Sequence, residues 1–242
     1  MKHVLTLALA MIMALPGVFA QGGVKTINLP NYDNRPIHFG FSLGVNQMGF
    51  DIQRADNFMT RAEIYGVDFK KHIGLHLGPL ADLRLGRYFD ARAQFILSFN
   101  QRDLNYYCLE LDNAEEQDIA KGTLHERNMT INSTMLEVPL MIKARGERKN
   151  NVAPYIVAGG AFRYDLKAGK TGDDEDCIKL KKIDPCLVAG LGLDFYLPYF
   201  KLSTELKYNL GLLNVLDPAD TPYSNSIKSI KSNGFTLTFH FE

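Results

Sequence analysis

The residues best suited to acid–base or nucleophilic chemistry are two histidines, a serine and an aspartate: His38, Ser42, His76 and Asp82. A serine, a histidine and a carboxylate can catalyse acyl transfer, but only when the three side chains meet in a defined geometry. All four residues fall on the polar faces of predicted β-strands, where hydrogen-bonded packing explains them more simply than catalysis does. We therefore predict that the protein is not an enzyme and has no catalytic residue.

Metal and nucleotide sites are also predicted to be absent. His72 and His76 have the spacing of a metal-binding pair on a helix, but on a strand these positions lie roughly 13 Å apart. The acidic stretch at 173–176 lacks the ligand pattern of a calcium-binding loop. Gly190-x-Gly192 lacks the third glycine of a dinucleotide-binding turn. We expect no metal and no cofactor.

The segments that carry these residues alternate between two kinds of side chain. In 200–210, an oily row that includes Leu202 and Leu206 alternates with a charged row that includes Lys201, Glu205 and Lys207. Successive side chains of a strand point to opposite faces, so each segment has one apolar and one polar face. The same alternation recurs at 38–46, 73–85, 91–100, 134–145, 156–165, 187–195, 200–210 and 235–242. Each segment is close to the roughly 9–11 residues that a tilted strand needs to cross a bilayer.

The connections between these segments are alternately long and short. The short ones lie at 86–90, at 146–151 and around Pro198, and the long ones at 51–72, 103–128, 168–182 and 214–231. Outer-membrane barrels alternate in this way because their periplasmic turns are tight while their surface loops are free to grow. Aromatic residues near the strand ends are typical of the girdles of such barrels. They are Tyr88, Phe89, Tyr106, Tyr107, Tyr196, Tyr199 and Phe200.

The first twenty residues have the features of a cleaved secretory signal. Lys2 and His3 precede an apolar run that ends in Val18-Phe19-Ala20, a small-x-small cleavage site. We expect a signal peptide at 1–20, a periplasmic N-terminal segment at 21–36 and a barrel at 37–242 in the outer membrane of a Gram-negative cell. Removing Lys2 from the 27 lysines and arginines leaves 26 basic against 27 acidic residues, which gives no electrostatic reason to expect nucleic-acid binding.

The predicted fold is all-β, an eight-stranded antiparallel up-and-down transmembrane β-barrel. Its oily rows would contact lipid, and its charged rows would contact one another inside. Eight strands enclose a space only just wide enough for side chains, and isolated ions there would be very costly. We therefore predict a lumen filled by ion pairs rather than a conduit. The residues assigned to this network are Asp82, Arg84, Arg92, Glu137, Lys143, Arg163, Asp165, Asp194, Lys201, Glu205 and Lys207.

A soluble periplasmic ligand-binding barrel would show the same alternation, with its oily rows turned inward and its charged rows in water. Three observations favour the membrane barrel over this alternative. They are the secretory signal, the alternation of loop lengths, and a final amphipathic strand with Phe241 close to its end. Such a strand resembles the signal by which outer-membrane proteins are recognised for assembly.

Two prolines and two cysteines lead to further predictions about local structure. Pro79 and Pro139 lie inside predicted strands, where a missing N–H group removes a ladder hydrogen bond, and we expect a β-bulge at each. Cys108 and Cys177 are placed in surface loops, where a disulfide could form in an oxidising compartment. Spacing alone does not establish that bond.

Several segments carry a family resemblance. They lie at 29–41, at 82–86 together with Tyr88 and Phe89, at 164–166, and at 194–203. Over nearly the whole mature chain, the sequence resembles the PorT proteins of Bacteroidetes. This resemblance implies an outer-membrane barrel component of the type IX secretion system, which exports proteins such as secreted proteases. The family has no agreed catalytic motif, so the resemblance implies no active site.

The expected role is therefore that of an accessory or scaffold subunit that contacts other secretion subunits as well as outer-membrane lipid. The alternative is a small structural or adhesive outer-membrane barrel with binding loops. The N-terminal segment is the predicted contact site for partner subunits, although it could equally cover the periplasmic mouth or remain an unstructured leader. The contact residues proposed in it are Leu29, Pro30, Asn31, Tyr32, Asp33 and Arg35.

Overall fold

The computed structural model of the protein describes residues 26–54, 64–110, 123–167, 179–217 and 227–242. The predicted signal peptide lies outside these residues. A 3₁₀ turn, Tyr32–Asn34, precedes the first strand. The strands are β1 Ile37–Arg54, β2 Ile64–Lys71, β3 Ile73–Arg84, β4 Phe89–Gln94, β5 Ile96–Glu110, β6 Thr123–Arg145, β7 Val152–Asp165, β8 Lys179–Leu180, β9 Cys186–Tyr196, β10 Lys201–Gly211, β11 Leu216–Asp217 and β12 Ile227–Phe241.

The strands form a closed antiparallel ring. β1 pairs with β12 on one side and with β3 on the other, so the sheet has no free edge at this point. Around the ring the order is β1, β12, β10, β9, β7, β6, then β4 continued by β5, then β3 continued by β2. If β4 with β5 and β3 with β2 are each counted as one, the ring contains eight transmembrane strands. The predicted all-β, eight-stranded barrel is confirmed. Among the described residues, no helix is long and apolar enough to cross a bilayer.

The two faces of the sheet have opposite chemistry, in the orientation predicted from the sequence. On β10, Glu205 is fully buried inside the ring while its neighbour Leu206 is 45 % exposed. Leu206 lies opposite Leu237 of β12, another outward apolar residue. A row of exposed apolar side chains on the outside can only be stable in contact with lipid, because water would penalise a patch of this size. The outward rows therefore form the lipid-facing surface.

The two strand prolines do not produce the predicted bulges. Pro79 faces Phe95, whose N–H group donates to the Pro79 carbonyl at 3.1 Å, and the β3 pairing keeps one register on both sides of this point. Pro139 pairs with Ala161 in an uninterrupted register. The two prolines have only a local effect on hydrogen bonding. The strand between them, predicted at 91–100, is divided into β4 and β5 at Phe95. A closed barrel tolerates the gap because the neighbouring ladder bonds hold the register.

Several strands are longer than predicted, most of them on the side of the long connections. β2 and the ends of β1, β5 and β6 occupy parts of 51–72 and 103–128 that were predicted as loops. β6 has 23 residues, whereas β9 and β10 have 11 each. The placement of Cys108 in a loop is wrong, because its backbone pairs with that of His125 within the β5–β6 ladder. Cys177 lies outside the described residues, as does the acidic stretch at 173–176.

Candidate functional site

The centre of the lumen is organised around one guanidinium group. Arg92 of β4 donates to both carboxylate oxygens of Asp82 on the neighbouring β3, at 2.7 and 2.6 Å. Across the lumen it contacts Glu205 at 2.9 Å and Glu242 at 3.2 Å. Its side chain is completely buried. One cation thus joins two adjacent strands to β10 and the C-terminal end of β12.

Three lysines complete this cluster. Lys143 lies 3.0 and 2.8 Å from the two oxygens of Asp194, and Lys201 lies 2.7 Å from Glu242. Lys207 lies 3.0 Å from Glu205. The eight residues, hereafter the central ion cluster, are Arg92, Lys143, Lys201, Lys207, Asp82, Asp194, Glu205 and Glu242. Four cations face four carboxylates, so the buried charge is balanced.

This balance explains how charged side chains can fill a narrow interior. Moving an ion from water into the protein interior costs on the order of several kcal/mol of hydration free energy. Only close opposite charges and hydrogen bonds offset this cost. Each member of the central ion cluster has such a partner within 3.2 Å. The side chains occupy the cross-section of the barrel as a crosslinked network.

A tyrosine that the charge pattern did not predict lies within the network. The Tyr155 ring contacts the Lys143 ammonium at 3.9 Å and the Arg92 guanidinium at 5.7 Å, both measured to the ring centroid. The ring occupies space left by Gly192, where a Cβ atom would come within 2.3 Å of it. Tyr155 lies opposite Gly192 on the adjacent strand. A glycine paired with an aromatic residue was the feature of the sequence that could have indicated this inward ring.

Tyr155 also belongs to an apolar part of the interior. It forms a buried cluster, hereafter the apolar wall, with Met141, Val157, Ala161, Cys186 and Val188. These residues come from β6, β7 and β9. The charged side chains of the lumen, hereafter the charged wall, and the apolar wall share strands β6 and β9, since these strands carry Lys143 and Asp194 as well as Met141 and Val188.

A second group of charges lies nearer the long connections. Arg163 approaches Glu137 at 3.4 Å and Asp184 at 3.5 Å. Arg102, which the sequence analysis did not assign, donates to Ser232 and Ser133. Burial raises the pKa of Asp184 in spite of the attraction of the arginines. This group restrains the end of the lumen opposite to the turns.

Two residues assigned to the ion-pair network behave differently. Arg84 lies at the rim, where its Nε–H donates to the carbonyl of Gly86. Asp165 accepts the backbone N–H of Lys167. Neither forms a salt bridge with another described residue. Both follow the inward parity of their strands, but each lies close to a strand end, where the chain itself supplies a partner.

The four residues considered for catalysis do not assemble into one site. Ser42 contacts His240 at 2.8 Å, and that ring lies 3.4 Å from Glu205. His76 contacts Thr238 instead. All of these groups are buried inside the ring.

The remaining candidates are equally separate. Asp82 is held by Arg92, and His38 stacks on Tyr32 with ring centroids 4.2 Å apart. His72 pairs with Asp103 rather than with a second histidine. Among the described residues, no group of three or more histidine, cysteine or acidic side chains is arranged to hold a metal ion.

The N-terminal segment folds over the periplasmic mouth. The hydroxyl of Tyr32 donates to Glu242 at 3.0 Å, so the segment is tied to the central ion cluster. Asp33 accepts from Arg145 and from Tyr196, each at 2.9 Å. Burial and the Glu242 carboxylate raise the pKa of Tyr32 above its ordinary value, which keeps its hydroxyl protonated as a donor. Residues 26–36 of this segment therefore lie across the mouth, and contact with partner subunits stays a prediction.

A second set of contacts holds the start of the segment. Asn28 donates to the carbonyl of Tyr196, and its own carbonyl accepts a short hydrogen bond from Arg148. The Arg148 guanidinium lies 3.6 Å from the centroid of the Tyr196 ring. The assignment of Tyr196 to an aromatic girdle is therefore wrong, because its side chain is buried inside the mouth. Tyr88, Phe89 and Tyr199 do lie exposed beside the turns.

Comparison with solved structures finds small outer-membrane barrels at low sequence identity. OprG from Pseudomonas aeruginosa is 13 % identical with a TM-score of 0.49, over 85 % of this chain and 92 % of its own. Neisserial surface protein A is 10 % identical with a TM-score of 0.42, over 86 % and 99 %. Ail, the attachment invasion locus protein of Yersinia pestis, is 13 % identical with a TM-score of 0.34, over 84 % and 96 %.

No curated protein matches the sequence significantly. Residues 19–217 match the model of the family described as "Outer membrane protein beta-barrel domain". This match covers most of the chain and agrees with the closed ring, the lipid-facing apolar rows and the ionic interior described above. The chain therefore belongs to the family of the outer membrane protein β-barrel domain, and it is located in the outer membrane.

Proposed function

We propose that the protein is a non-catalytic, non-conducting barrel that anchors a binding surface at the outer face of the outer membrane. The observation that supports this proposal is the network of buried ion pairs across the interior. The central ion cluster crosslinks the strands around the lumen, and the N-terminal segment covers its periplasmic end. A barrel with no open passage acts through its rims and loops.

The outer rim supplies the larger surface. β5 and β6 pair without interruption from Ile96 with Glu137 to Glu110 with Thr123. A strand of 23 residues such as β6 measures roughly 75 Å at about 3.3 Å per residue, which is about twice what crossing a bilayer requires. The outer part of the β5–β6 ribbon therefore extends beyond the membrane, where it can present a binding surface.

A second candidate function is an accessory role in type IX secretion. It is favoured by the sequence resemblance to PorT proteins and by the ordered N-terminal segment. Leu29, Pro30 and Arg35 of that segment are not used in the described contacts of the mouth, and Pro30 and Arg35 are exposed. Periplasmic subunits could bind these residues without opening the barrel. In this role the partners would be a larger outer-membrane translocon and periplasmic components.

Liposome swelling tests the sealed lumen. Purified wild-type protein in liposomes should give no flux of arabinose, whereas a triple variant Arg92→Ala, Lys143→Ala, Glu205→Ala should give measurable flux if it inserts. Heat-modifiable gel mobility provides the check on insertion. Sugar flux through the wild-type barrel would refute the proposal.

Two cellular experiments separate the candidate functions. Replacing residues 106–127 by an Asn-Gly turn should preserve insertion and reduce adhesion of cells to a gelatin-coated surface if the ribbon is a binding surface. Deleting the gene should abolish secretion of C-terminally targeted proteases if the accessory role holds. Normal secretion after deletion would exclude that role, and unchanged adhesion would exclude the adhesive one.

A further inference from the structure

The periplasmic mouth contains a pocket on the lumen side of the sheet, hereafter the rim pocket. Its volume is about 380 Å³. The turns at 85–88 and 146–151 contribute to its lining, and so does Asp33 of the N-terminal segment. Its charged lining residues are Arg84, Arg87, Arg145, Arg148, Asp33 and Glu147. Four cations and two carboxylates leave this lining with an excess of two positive charges.

One half of the rim pocket is occupied by a carboxylate of the chain itself. Asp33 accepts hydrogen bonds from Arg145 and from the Tyr196 hydroxyl, each at 2.9 Å, and lies 3.7 Å from Arg148. Arg145 also contacts Asp90 at 2.8 Å, and Arg148 lies 3.6 Å from the centroid of the Tyr196 ring. These two arginines are therefore paired within the protein. Asp33 shows how the pocket binds a peptide carboxylate, between guanidinium groups and a neutral hydroxyl.

The other half contains two arginines without such a partner. The Nε–H group of Arg84 donates to the Gly86 carbonyl at 3.1 Å, and the Arg87 guanidinium lies 5.3 Å from the centroid of the Tyr88 ring. In the part of the chain that the structure describes, no carboxylate lies within salt-bridge distance of either arginine. Stacking on a ring uses the face of a guanidinium and leaves its in-plane N–H groups available. Arg84 and Arg87 can therefore donate to an anion from outside the chain.

The rim pocket is reached from the periplasm rather than from the lipid. Arg84 has the same parity on β3 as the buried Asp82, so it points inward, whereas its neighbour Leu83 is exposed on the lipid-facing side. Arg87 and Glu147 are exposed at the turns. Glu147 forms no salt bridge with another described residue, so it does not neutralise the two arginines. An anion that pairs with them therefore comes from the periplasm.

We propose that the rim pocket binds an acidic segment of a periplasmic polypeptide, with two neighbouring carboxylates paired to Arg84 and Arg87. Guanidinium groups suit this ligand because they donate paired hydrogen bonds to carboxylate oxygens. Two ligand carboxylates equal the excess charge of the lining, and Asp33 is already held there in the same way. The site lies at the end of the barrel opposite to the outer part of the β5–β6 ribbon, so it requires neither adhesion nor a role in secretion.

Fluorescence anisotropy of a labelled peptide tests this site. The mature protein in a nonionic detergent is titrated into Gly-Glu-Glu-Gly amide that carries an uncharged fluorophore, at low ionic strength. We expect saturable binding of one peptide per barrel, and no binding of the matched Gly-Gln-Gln-Gly amide. The variant R84Q/R87Q should raise the Kd about tenfold, because it removes two charge-assisted contacts. Glu147→Gln should lower the Kd about threefold, because it removes a repelling carboxylate from the lining.

A matched control removes a cation from the same part of the mouth. Lys149 lies in the 146–151 turn but does not line the rim pocket, so Lys149→Gln should bind the peptide as the wild type does. Heat-modifiable gel mobility verifies that every variant is folded. Failure of the wild type to bind, or equal affinity in R84Q/R87Q and Lys149→Gln, would overturn the inference. Displacement of the peptide by an equal concentration of inorganic phosphate would show a site for small anions and would also overturn it.

Discussion

The charged and apolar walls of the lumen are made of the same kind of strand, yet they are stabilised in different ways. On the charged wall, the side chains of the central ion cluster depend on close partners, most of them from another strand, as Arg92 depends on Glu205. On the apolar wall, Val157 and Val188 contribute by burial alone. The charged wall requires particular partners and is strongly destabilised when one of them is removed. The apolar wall requires no particular partners and tolerates substitution better. The comparison shows that an inward row need not be polar; it needs only to be fully packed or fully paired.

Removing the central cation should have the largest effect. Arg92→Met leaves Asp82, Glu205 and Glu242 without their shared partner, and breaking a buried ion pair in this way costs about 3–5 kcal/mol. Urea unfolding in detergent micelles, followed by heat-modifiable mobility, measures the loss. Lys149→Met, in an exposed turn, is the control and should be neutral. Equal stability of both variants would show that the charged wall is not held by pairing.

Replacing a whole ion pair should cost less than breaking it. Lys143→Met alone leaves Asp194 buried with Ser203 and Lys201 nearby, and we expect a loss of about 3 kcal/mol. The double variant Lys143→Met, Asp194→Leu should recover most of this loss, because well-packed apolar side chains can replace a buried pair. The same unfolding assay yields the coupling energy from a double-mutant cycle. Additive losses would contradict the pairing seen in the lumen.

The apolar wall should respond more weakly. Val188→Ala removes buried methyl groups without exposing an ion, so a loss of about 1–2 kcal/mol is expected. Val188→Thr keeps the shape and adds a hydroxyl, which distinguishes lost volume from changed polarity. If Val188→Ala destabilised the barrel as much as Arg92→Met, the distinction between the two walls would be wrong.

The smallest effect is expected at the N-terminal segment. Tyr32→Phe removes only the hydrogen bond to Glu242 and retains the stacking on His38, which should cost about 1 kcal/mol. The segment should then become more accessible to protease added from the periplasmic side, while the unfolding midpoint of the barrel changes little. Tyr199→Phe, on a fully exposed ring, serves as the control. Unchanged protease resistance would mean that the Asn28 and Asp33 contacts hold the segment without this bond.

The periodicity of two was sufficient to predict the strands and their lipid-facing rows. Glu205 and Lys207 alternate with Leu206 in any strand conformation, and closure of the ring turns the first two inward together. Which charges meet was not predictable in this way. Arg92 and Glu205 are 113 residues apart, and their contact depends on strand tilt and register. Tyr196 points inward because it has the same parity on β9 as Asp194, so the alternation itself indicated its direction, and its position as an aromatic at a strand end was misleading.

The amino-acid sequence alone therefore determined the fold class, the membrane location and the division of each strand into an apolar and a polar face, because these follow from local alternation and from an export signal. The tertiary structure decided how four cations and four carboxylates are matched, where an apolar wall replaces charge, and what covers the mouth. These properties arise from distances across the lumen, and such distances exist only after the sheet has closed. The preserved register at Pro79 and Pro139 has the same origin, since neighbouring strands on both sides hold the chain where local rules alone would predict a bulge.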